Sequence, residues 1–211
     1  MKIAILIGHG ESEGGSYDPG AVSGAYHEFR IAREIGKAAQ ERLQAVYGAS
    51  CELVNYDGSL SLSERIRRFR GREADFLAEI HLNAGSDTAA GTEVWYYPGD
   101  QAGKKYAAAI SAAVSAALGL PDRGAKASDY YGIIRQTGPT ACLVETCFIS
   151  SRDLDKVKDA AGQALAGRAI ADGIAKAAGL SARDGFQKIN GKLYFYRDGK
   201  PIITDKDGVI Q

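Results

Sequence analysis

Hydrophobic residues occur along this chain in short runs that alternate with longer amphipathic stretches. The first run, Ile3–Ile7, has the length and β-branched content of a strand buried on both faces. A second run, interrupted by Glu79, follows at Phe76–Ile80, and a third follows at Ala141–Val144. From Glu28 to about Val46, apolar residues recur at three- and four-residue intervals, which predicts a long helix with one apolar face.

The same patterns predict the remaining elements. Ser61-Leu62-Ser63-Glu64 is a capping box, so we expect a basic helix to begin there and to extend to about Arg72. The other predictions are a strand at 51–54, a strand at 91–97, a helix at 102–118, a loop at 121–131, a short strand at 133–134, a core strand at 140–144 and a helix at 154–178. Because strands and helices alternate, we predict an α/β fold with a twisted, mostly parallel sheet flanked by helices on both faces.

The composition changes near residue 179. The last predicted helix carries apolar residues such as Leu165 on its inner side, and Gly179–Gly185 then resembles a linker. Beyond it, Asn190-Gly191 and Asp198-Gly199 are preferred two-residue hairpin turns on either side of an aromatic strand. A segment of this length cannot bury a core of its own. We therefore predict a domain at 1–179 and a short β-hairpin appendage at 180–211.

Composition and charge exclude several classes of protein. The 211 residues suffice for one good-sized domain, and 26 basic residues balance 26 acidic ones, which does not favour a nucleic-acid partner. Three cysteines make no disulfide framework, so we expect buried, reduced thiols. No signal peptide precedes the first strand and no apolar run is long enough for a membrane span. We therefore expect synthesis in the cytoplasm.

Two of the three histidines stand where predicted core strands end. His9 follows the first apolar run between two glycines, and His81 follows the second run. Glu145 follows the third run in the same way. A single histidine in such a position would by default be a buried structural residue. Two histidines that each follow a predicted core strand indicate a functional site. In open α/β sheets, the carboxyl ends of the strands hold the functional residues.

Two imidazoles and a carboxylate are the usual protein ligands of a catalytic zinc ion, which leaves a fourth position for water. Bound zinc lowers the pKa of that water toward about 7, and a further carboxylate is needed to accept its proton. The chain offers two acids for these two roles, Glu145 and Glu28. The position of Glu28 in the first turn of a helix has a simpler explanation as well, because the helix dipole favours a carboxylate there.

Two other features have ordinary explanations. The glycine-rich loop at 10–24 lacks the spacing of a phosphate-binding or dinucleotide-binding motif. The predicted basic helix carries five arginines, for which a solvated helix face is favoured over a patch that binds an anionic substrate. These arginines are Arg65, Arg67, Arg68, Arg70 and Arg72.

Seven short motifs follow one another in an order and spacing that match a known family. They are Gly8-His9-Gly10, Asp18-Pro19-Gly20-Ala21, Glu28, Leu60–Arg65, Ile80–Ala84, Gly91–Val94 and Val144–Ser150. Over residues 1–178 the chain thereby closely resembles the zinc-dependent N-acetylmuramoyl-L-alanine amidases of the amidase-3 type. The resemblance implies that His9, Glu28 and His81 are the zinc ligands and that Glu145 is the catalytic carboxylate. It implies a substrate in bacterial peptidoglycan, the amide between the lactyl group of muramic acid and the first L-alanine of the stem peptide.

Two positions depart from the family pattern, and the tail has a resemblance of its own. Cys147 stands where the family more often has glycine, and we interpret it as a buried bystander. His27 directly precedes Glu28, and because adjacent helical residues point about 100° apart, only one of them can reach a metal. Glu28 is the first choice and His27 the second. The tail at 186–211 resembles part of a choline-binding-type repeat, although a hairpin that covers the catalytic domain is slightly favoured.

The leading functional hypothesis is a zinc amidase of a phage or prophage endolysin, which reaches the cell wall after release from the cytoplasm through a membrane pore. A bacterial enzyme freed when a mother cell lyses is the other origin that we consider. One alternative is a zinc peptidase or carboxypeptidase that acts on the stem peptide. Another is a wall-binding protein with the same fold and no activity, which the presence of Glu145 and all three ligand candidates disfavours. The sequence does not define the oligomeric state, and a monomer is assumed.

Overall fold

The computed structural model describes residues 1–71, 74–189 and 191–202. Its elements are β1 (Lys2–Ile7), β2 (Gly10–Glu11), β3 (Tyr17–Asp18), β4 (Val22–Ser23), β5 (Tyr26–His27), α1 (Glu28–Ala45), β6 (Ser50–Val54), α2 (Leu62–Phe69), β7 (Phe76–Asn83), β8 (Thr92–Tyr96), α3 (Gln101–Leu118), β9 (Asp122–Ala127), α4 (Gly132–Gln136), β10 (Ala141–Phe148), a 3-10 helix (Arg152–Lys156), α5 (Ala160–Ala178), β11 (Gly185–Ile189), β12 (Lys192–Arg197) and β13 (Lys200–Ile202).

Six strands form the central sheet in the order β6-β1-β7-β10-β8-β9. The first four are parallel to one another, whereas β8 is antiparallel to β10 and β9 is parallel to β8. The prediction of a mostly parallel sheet is therefore confirmed. Because β1, β7 and β10 are parallel neighbours, their carboxyl ends lie side by side at one edge of the sheet.

Helices cover both faces of this sheet, as predicted. The residues of β1 alternate between the faces, with Ile3, Ile5 and Ile7 in a large hydrophobic cluster with α1, α3 and α5. Ala4 and Leu6 belong to a smaller cluster with the short helices α2 and α4. A strand buried on both faces explains the unbroken apolar run in the sequence.

The predictions for residues 121–134 were wrong. The expected loop contains β9, and the expected short strand at Ile133–Ile134 lies in helix α4. The β9 strand is at the edge of the sheet and pairs only with β8, so its sequence needs no alternation of apolar and polar residues. Ile133 and Ile134 are both buried, and two adjacent apolar residues do not distinguish a strand from a helix.

The last long helix begins later than predicted, and its packing face differs from the prediction in part. A 3-10 helix precedes it, and α5 begins only after Asp159, whose side chain accepts a hydrogen bond from the Gly162 amide at 2.8 Å. Leu165, expected on the inner side, is 39% exposed. The predicted Ala169 and Ile170 are buried, but much of the inner side consists of small residues, and a Cβ atom at Gly167 would lie 2.3 Å from the Ile35 carbonyl oxygen of α1. A pattern based on large apolar residues does not predict a helix face that packs through glycine and alanine.

The basic helix α2 has the predicted capping box at Ser61 and Glu64 but ends at Phe69. Arg72 lies outside the described residues. The prediction of a solvated face is wrong for Arg65, which is buried in an ion pair with Glu79.

The appendage is a three-stranded antiparallel sheet in the order β11-β12-β13. Asp198 and Gly199 have φ angles of 50° and 74°, as the predicted turn requires. Asn190 and residues 203–211 lie outside the described residues. The predicted linker contacts the end of α1, because the Arg183 amide donates to the Val46 carbonyl at 2.7 Å.

The cysteines and the absence of a membrane-spanning run were also predicted from the sequence. The cysteines, Cys51, Cys142 and Cys147, are free and buried. Among the helices of the described residues, none is both long and apolar enough to cross a membrane.

Candidate active site

His9 lies just beyond β1 in an unusual backbone conformation. Its φ angle is 63°, in the left-handed region that residues other than glycine seldom adopt. The buried side chain of Asn55 stabilises this turn, since its Nδ2 donates to the carbonyl oxygens of Ile7 at 2.9 Å and of His9 at 2.7 Å. Strained residues of this kind concentrate at functional sites.

The structure brings His9, Glu28 and His81 together. The Nε2 of His9 lies 3.2 Å from the Oε1 of Glu28, and the Nδ1 of His81 lies 2.8 Å from the same oxygen. One candidate ligand atom from each residue lies within 4.8 Å of the other two. His27 is not part of this group; it precedes α1, and its Nδ1 lies 3.4 Å from the Tyr17 hydroxyl.

Backbone amides fix the carboxylate of Glu28, which is buried in the first turn of α1. The Ala21 amide donates to Oε2 at 2.8 Å, and the Leu82 amide donates to Oε1 at 3.0 Å. Burial alone would raise the pKa of Glu28, but the contacts with His81 and His9 outweigh it and hold the pKa far below its usual range. Glu28 is thus an ionised acceptor between two imidazoles.

Two glycines of the sequence motifs make this approach possible. A Cβ atom at Gly8 would lie 2.1 Å from the ring of His81. A Cβ atom at Gly20 would lie 2.6 Å from both the Glu28 Oε2 and the His9 Cδ2. Any side chain at either position would therefore displace a candidate ligand.

Carboxylates lie beside both imidazoles outside the ligand group: Asp18 is hydrogen-bonded to His9, whereas Glu79 is within ion-pair distance of His81, whose Nε2 has no hydrogen-bond partner among the described residues. The Nδ1 of His9 lies 2.8 Å from the Oδ2 of Asp18, and the Nε2 of His81 lies 3.2 Å from the Oε2 of Glu79. Arg65 donates to the Oε1 of Glu79 at 2.9 Å and to the His9 carbonyl at 3.1 Å. Metal-binding histidines commonly have such a carboxylate partner on the second ring nitrogen.

These outer residues were not predicted as site residues. Asp18 lies in one of the sequence motifs, and Glu79 is a charged residue within an apolar strand, which is a usable signal. The role of Arg65 depends on a contact between α2 and β7, which no local pattern shows.

The two imidazoles respond to this surrounding negative charge. Burial lowers the pKa of each ring, but Glu28 and Asp18 together raise that of His9 above 6.5, and Glu28 and Glu79 raise that of His81 well above it. The two nitrogens and one oxygen that converge here are the donor set of a catalytic zinc site, and the negative surroundings favour a cation. The residues present therefore fit the metal that the sequence implies.

Glu145 lies beside this group in the middle of β10, which continues to Phe148 and does not end at Val144 as predicted. Its Cα is paired with that of His81 on one side and with that of Glu93 on the other. The side chain is 9% exposed, and its Oε2 is buried with no hydrogen-bond partner among the described residues. Burial raises the pKa of Glu145 to about 7; the His81 charge opposes this rise, and the carboxylates of Glu28 and Glu93 add to it. A carboxylate with this pKa can both accept and return a proton near neutral pH.

A cavity of about 180 Å³ opens onto these residues from the side of α2 and α4. Its lining combines candidate ligands and their partners with apolar side chains, and it consists of His9, Asp18, Leu62, Arg65, Glu79, His81, Tyr131, Gly132, Ile133 and Leu143. A pocket of this kind, apolar with a few convergent polar groups, is typical of a small-molecule or substrate site.

The fold matches those of solved amidase and endolysin catalytic domains. The catalytic domain of CwlV, an N-acetylmuramoyl-L-alanine amidase from Bacillus (Paenibacillus) polymyxa var. colistinus, is 27% identical and superimposes with a TM-score of 0.75, covering 86% of this chain and 100% of that domain. The catalytic domain of the CD27L endolysin targeting Clostridia difficile is 26% identical with a TM-score of 0.70, covering 83% of this chain and 97% of that domain.

The chain belongs to the Amidase_3 family of N-acetylmuramoyl-L-alanine amidases, whose family model matches residues 3–176. A relative in the family is the N-acetylmuramoyl-L-alanine amidase LytC of Bacillus subtilis (strain 168), 33% identical over 175 residues. The match covers 81% of this chain but only 34% of LytC, so the chain corresponds to about a third of that protein.

Proposed function

We propose that this protein is a zinc-dependent N-acetylmuramoyl-L-alanine amidase of peptidoglycan. The observation that carries the proposal is the convergence of His9, Glu28 and His81, with Glu145 on the neighbouring strand. Family membership supports the same substrate, the amide between the muramoyl lactyl group and L-alanine.

In the proposed reaction, His9, Glu28 and His81 hold the metal. Zinc, when bound, would supply a Lewis acid and a water molecule of lowered pKa. Asp18 keeps the His9 imidazole oriented through a hydrogen bond, and Glu79 places a negative charge beside the His81 imidazole. Glu145 accepts the proton of the attacking water through its unpartnered oxygen and returns it to the departing alanine nitrogen, which would otherwise leave as a poor anionic amide.

Digestion of purified sacculi, followed by mass spectrometry, tests the bond that is broken. An amidase releases stem peptides with a free N-terminal alanine and leaves a free lactyl carboxylate on muramic acid. A zinc peptidase or carboxypeptidase would leave that amide intact and shorten the peptide. An absence of any product with zinc-loaded protein would favour a wall-binding protein without activity.

We further propose that the chain acts as the catalytic part of a phage or prophage endolysin that reaches the cell wall after release. The similarity to the CD27L endolysin domain supports this role, while the similarity to LytC favours a bacterial amidase. Lysis of living cells, when the protein is expressed together with a membrane pore but not without one, is the result expected of an endolysin. Lysis without the pore would contradict release through it.

A further inference from the structure

A row of charged residues crosses the sheet from the candidate metal site to the edge strand. His81 on β7, Glu145 on β10 and Glu93 on β8 are successive Cα partners, and Gly124 on β9 is paired with Glu93. Neighbouring strands lie about 4.8 Å apart, so β9 is about 10 Å from Glu145. An extended peptide covers that distance with about three residues.

The far end of this row carries two cations on one carboxylate. Lys126 donates to the Oε2 of Glu93 at 2.6 Å, and Arg123 donates to the same oxygen. Asn83 donates to the Oε1 at 3.0 Å. Among the described residues, Glu93 is the one acidic partner found for either cation, so the cluster of Glu93, Arg123 and Lys126 has a net charge of +1.

The two cations are held in place and remain accessible. The Nζ of Lys126 lies 5.3 Å from the centre of the Trp95 ring, and the Cζ of Arg123 lies 5.1 Å from that of Phe148. The side chains of Arg123 and Lys126 are 38% and 31% exposed, whereas that of Glu93 is 5% exposed. Neutralising Glu93 requires one cation, so the second is available for a ligand.

We infer that Arg123 and Lys126 form a subsite for a carboxylate in the peptide part of the substrate, within about three residues of the bond that is cleaved. The inference rests on the proposed amidase function, because it places the reacting amide at Glu145 and the candidate ligands. A free carboxylate matches the unbalanced positive charge, whereas an amidated one does not. The subsite thus distinguishes stem peptides by the ionisation of their second or third residue.

Binding of two short peptides tests the subsite apart from catalysis. The zinc-loaded full chain is titrated with L-Ala-D-Gln, whose α-carboxylate is free and whose side chain is uncharged, and with the same peptide amidated at the α-carboxylate, and both affinities are measured by NMR or calorimetry. We expect the free acid to bind about tenfold more tightly, as for a hydrogen bond to a charged group. In Lys126→Gln and Arg123→Gln the ratio should fall to about threefold or less.

Two further variants separate a loss of charge from a loss of fold. Lys126→Arg keeps the charge and should keep the preference, and so should Lys104→Gln, which removes an exposed lysine from α3 on the other face of the sheet. Equal ratios in the wild type and both glutamine variants would overturn the subsite. Hydrolysis of the corresponding muramoyl peptides is measured separately. If neither peptide is cleaved, the proposed amidase function is overturned, while the ratio of the two binding affinities still decides whether the subsite exists.

Discussion

The two faces of the central sheet use the same strands for different purposes. Toward α1, α3 and α5, β7 presents Phe76, Ala78 and Ile80, which are fully buried in the large hydrophobic cluster. Toward α2 and α4, the same strand presents Glu79 and His81. Because successive residues of a strand point to opposite faces, one strand supplies both core packing and site residues.

The smaller face buries charges that the larger hydrophobic cluster avoids. Arg65, Glu79, Glu93 and Glu145 are all nearly inaccessible to solvent. Burying ionised groups is unfavourable unless they are paired, so this face contributes less stability for its area. The difference indicates that the larger face stabilises the fold and thereby allows the smaller face to hold reactive groups.

The largest expected effect follows from removing a candidate ligand on the smaller face. His9→Ala or His81→Ala should reduce zinc from about one per chain to almost none and abolish hydrolysis, because a catalytic site needs three protein ligands. Metal analysis and sacculus digestion measure the two effects. His27→Ala is the matched control and should keep both, since His27 lies outside the group. Full zinc content in His81→Ala would contradict the ligand assignment.

The next effect is on rate alone. Glu145→Gln keeps the shape of the side chain but removes the base, so we expect a rate loss of about 10²–10⁴-fold with zinc content unchanged. Turnover of a muramoyl peptide and metal analysis measure these quantities, and Glu41→Gln on the exposed surface of α1 serves as the control. A variant that loses zinc would make Glu145 a ligand and Glu28 suspect. Near-full activity with zinc bound would refute the mechanism.

Much of the difference between the two faces of the sheet could be predicted from the sequence. The apolar runs predicted the inner strands, because a strand buried on both faces is mostly apolar, and they brought His9, His81 and Glu145 to the same edge of the sheet. His81 and Glu145 nevertheless lie within β7 and β10 and not at their ends. Local patterns failed where a contact between distant elements decides the outcome. The edge strand β9 needs no periodicity, and the small-residue face of α5 depends on the backbones of α1 and α3. The outer partners Glu79 and Arg65 are defined only once α2 packs on β7.

A substitution on the larger face should affect stability and not the site. Ile80→Ala removes a fully buried side chain next to His81, and we expect the free energy of unfolding to fall by about 2–5 kcal/mol. Urea denaturation of the metal-free protein measures this loss, and zinc stoichiometry should be unchanged. Leu165→Ala is the control, since Leu165 is 39% exposed and its loss should cost far less. Loss of zinc in Ile80→Ala would show that the faces are not separable.

The stability of the smaller face should depend on pH through Glu145. Burial raises the pKa of its carboxyl to about 7 in the folded state, so the folded protein holds that proton more tightly than the unfolded chain. Its contribution to stability is therefore lost as the pH rises from about 4.5 to 7. In metal-free protein at pH 8, Glu145→Gln should raise the free energy of unfolding by about 2–3 kcal/mol, with no gain at pH 4. Urea denaturation at the two pH values checks this, and equal stabilities at pH 8 would contradict it.

The smallest expected effect concerns the appendage, which packs beside α1, far from the strand ends of the site. Arg183 donates through its amide to Val46 and through its side chain to the Ala45 carbonyl at 3.1 Å, and Gly199 donates to Arg183 at 2.7 Å. These bonds satisfy backbone carbonyls at the C-terminal end of α1, where the last carbonyls of a helix lack intrahelical partners. Ending the chain after Gly179 should therefore lower the melting temperature by about 2–4 °C, as expected for a loss of about 1 kcal/mol, with rates and sedimentation with sacculi unchanged.

Two single substitutions separate a structural cover from a wall-binding module. Tyr196 is 7% exposed and packs against Arg183, whereas Phe186 is 64% exposed. If the appendage is a cover, Tyr196→Ala should reproduce most of the fall in melting temperature and Phe186→Ala should have little effect on either property. If the appendage binds the wall, Phe186→Ala should instead weaken sedimentation with sacculi, and truncation should leave the melting temperature unchanged. We expect the first pattern, because the described hydrogen bonds of Arg183 and Gly199 join the appendage to α1.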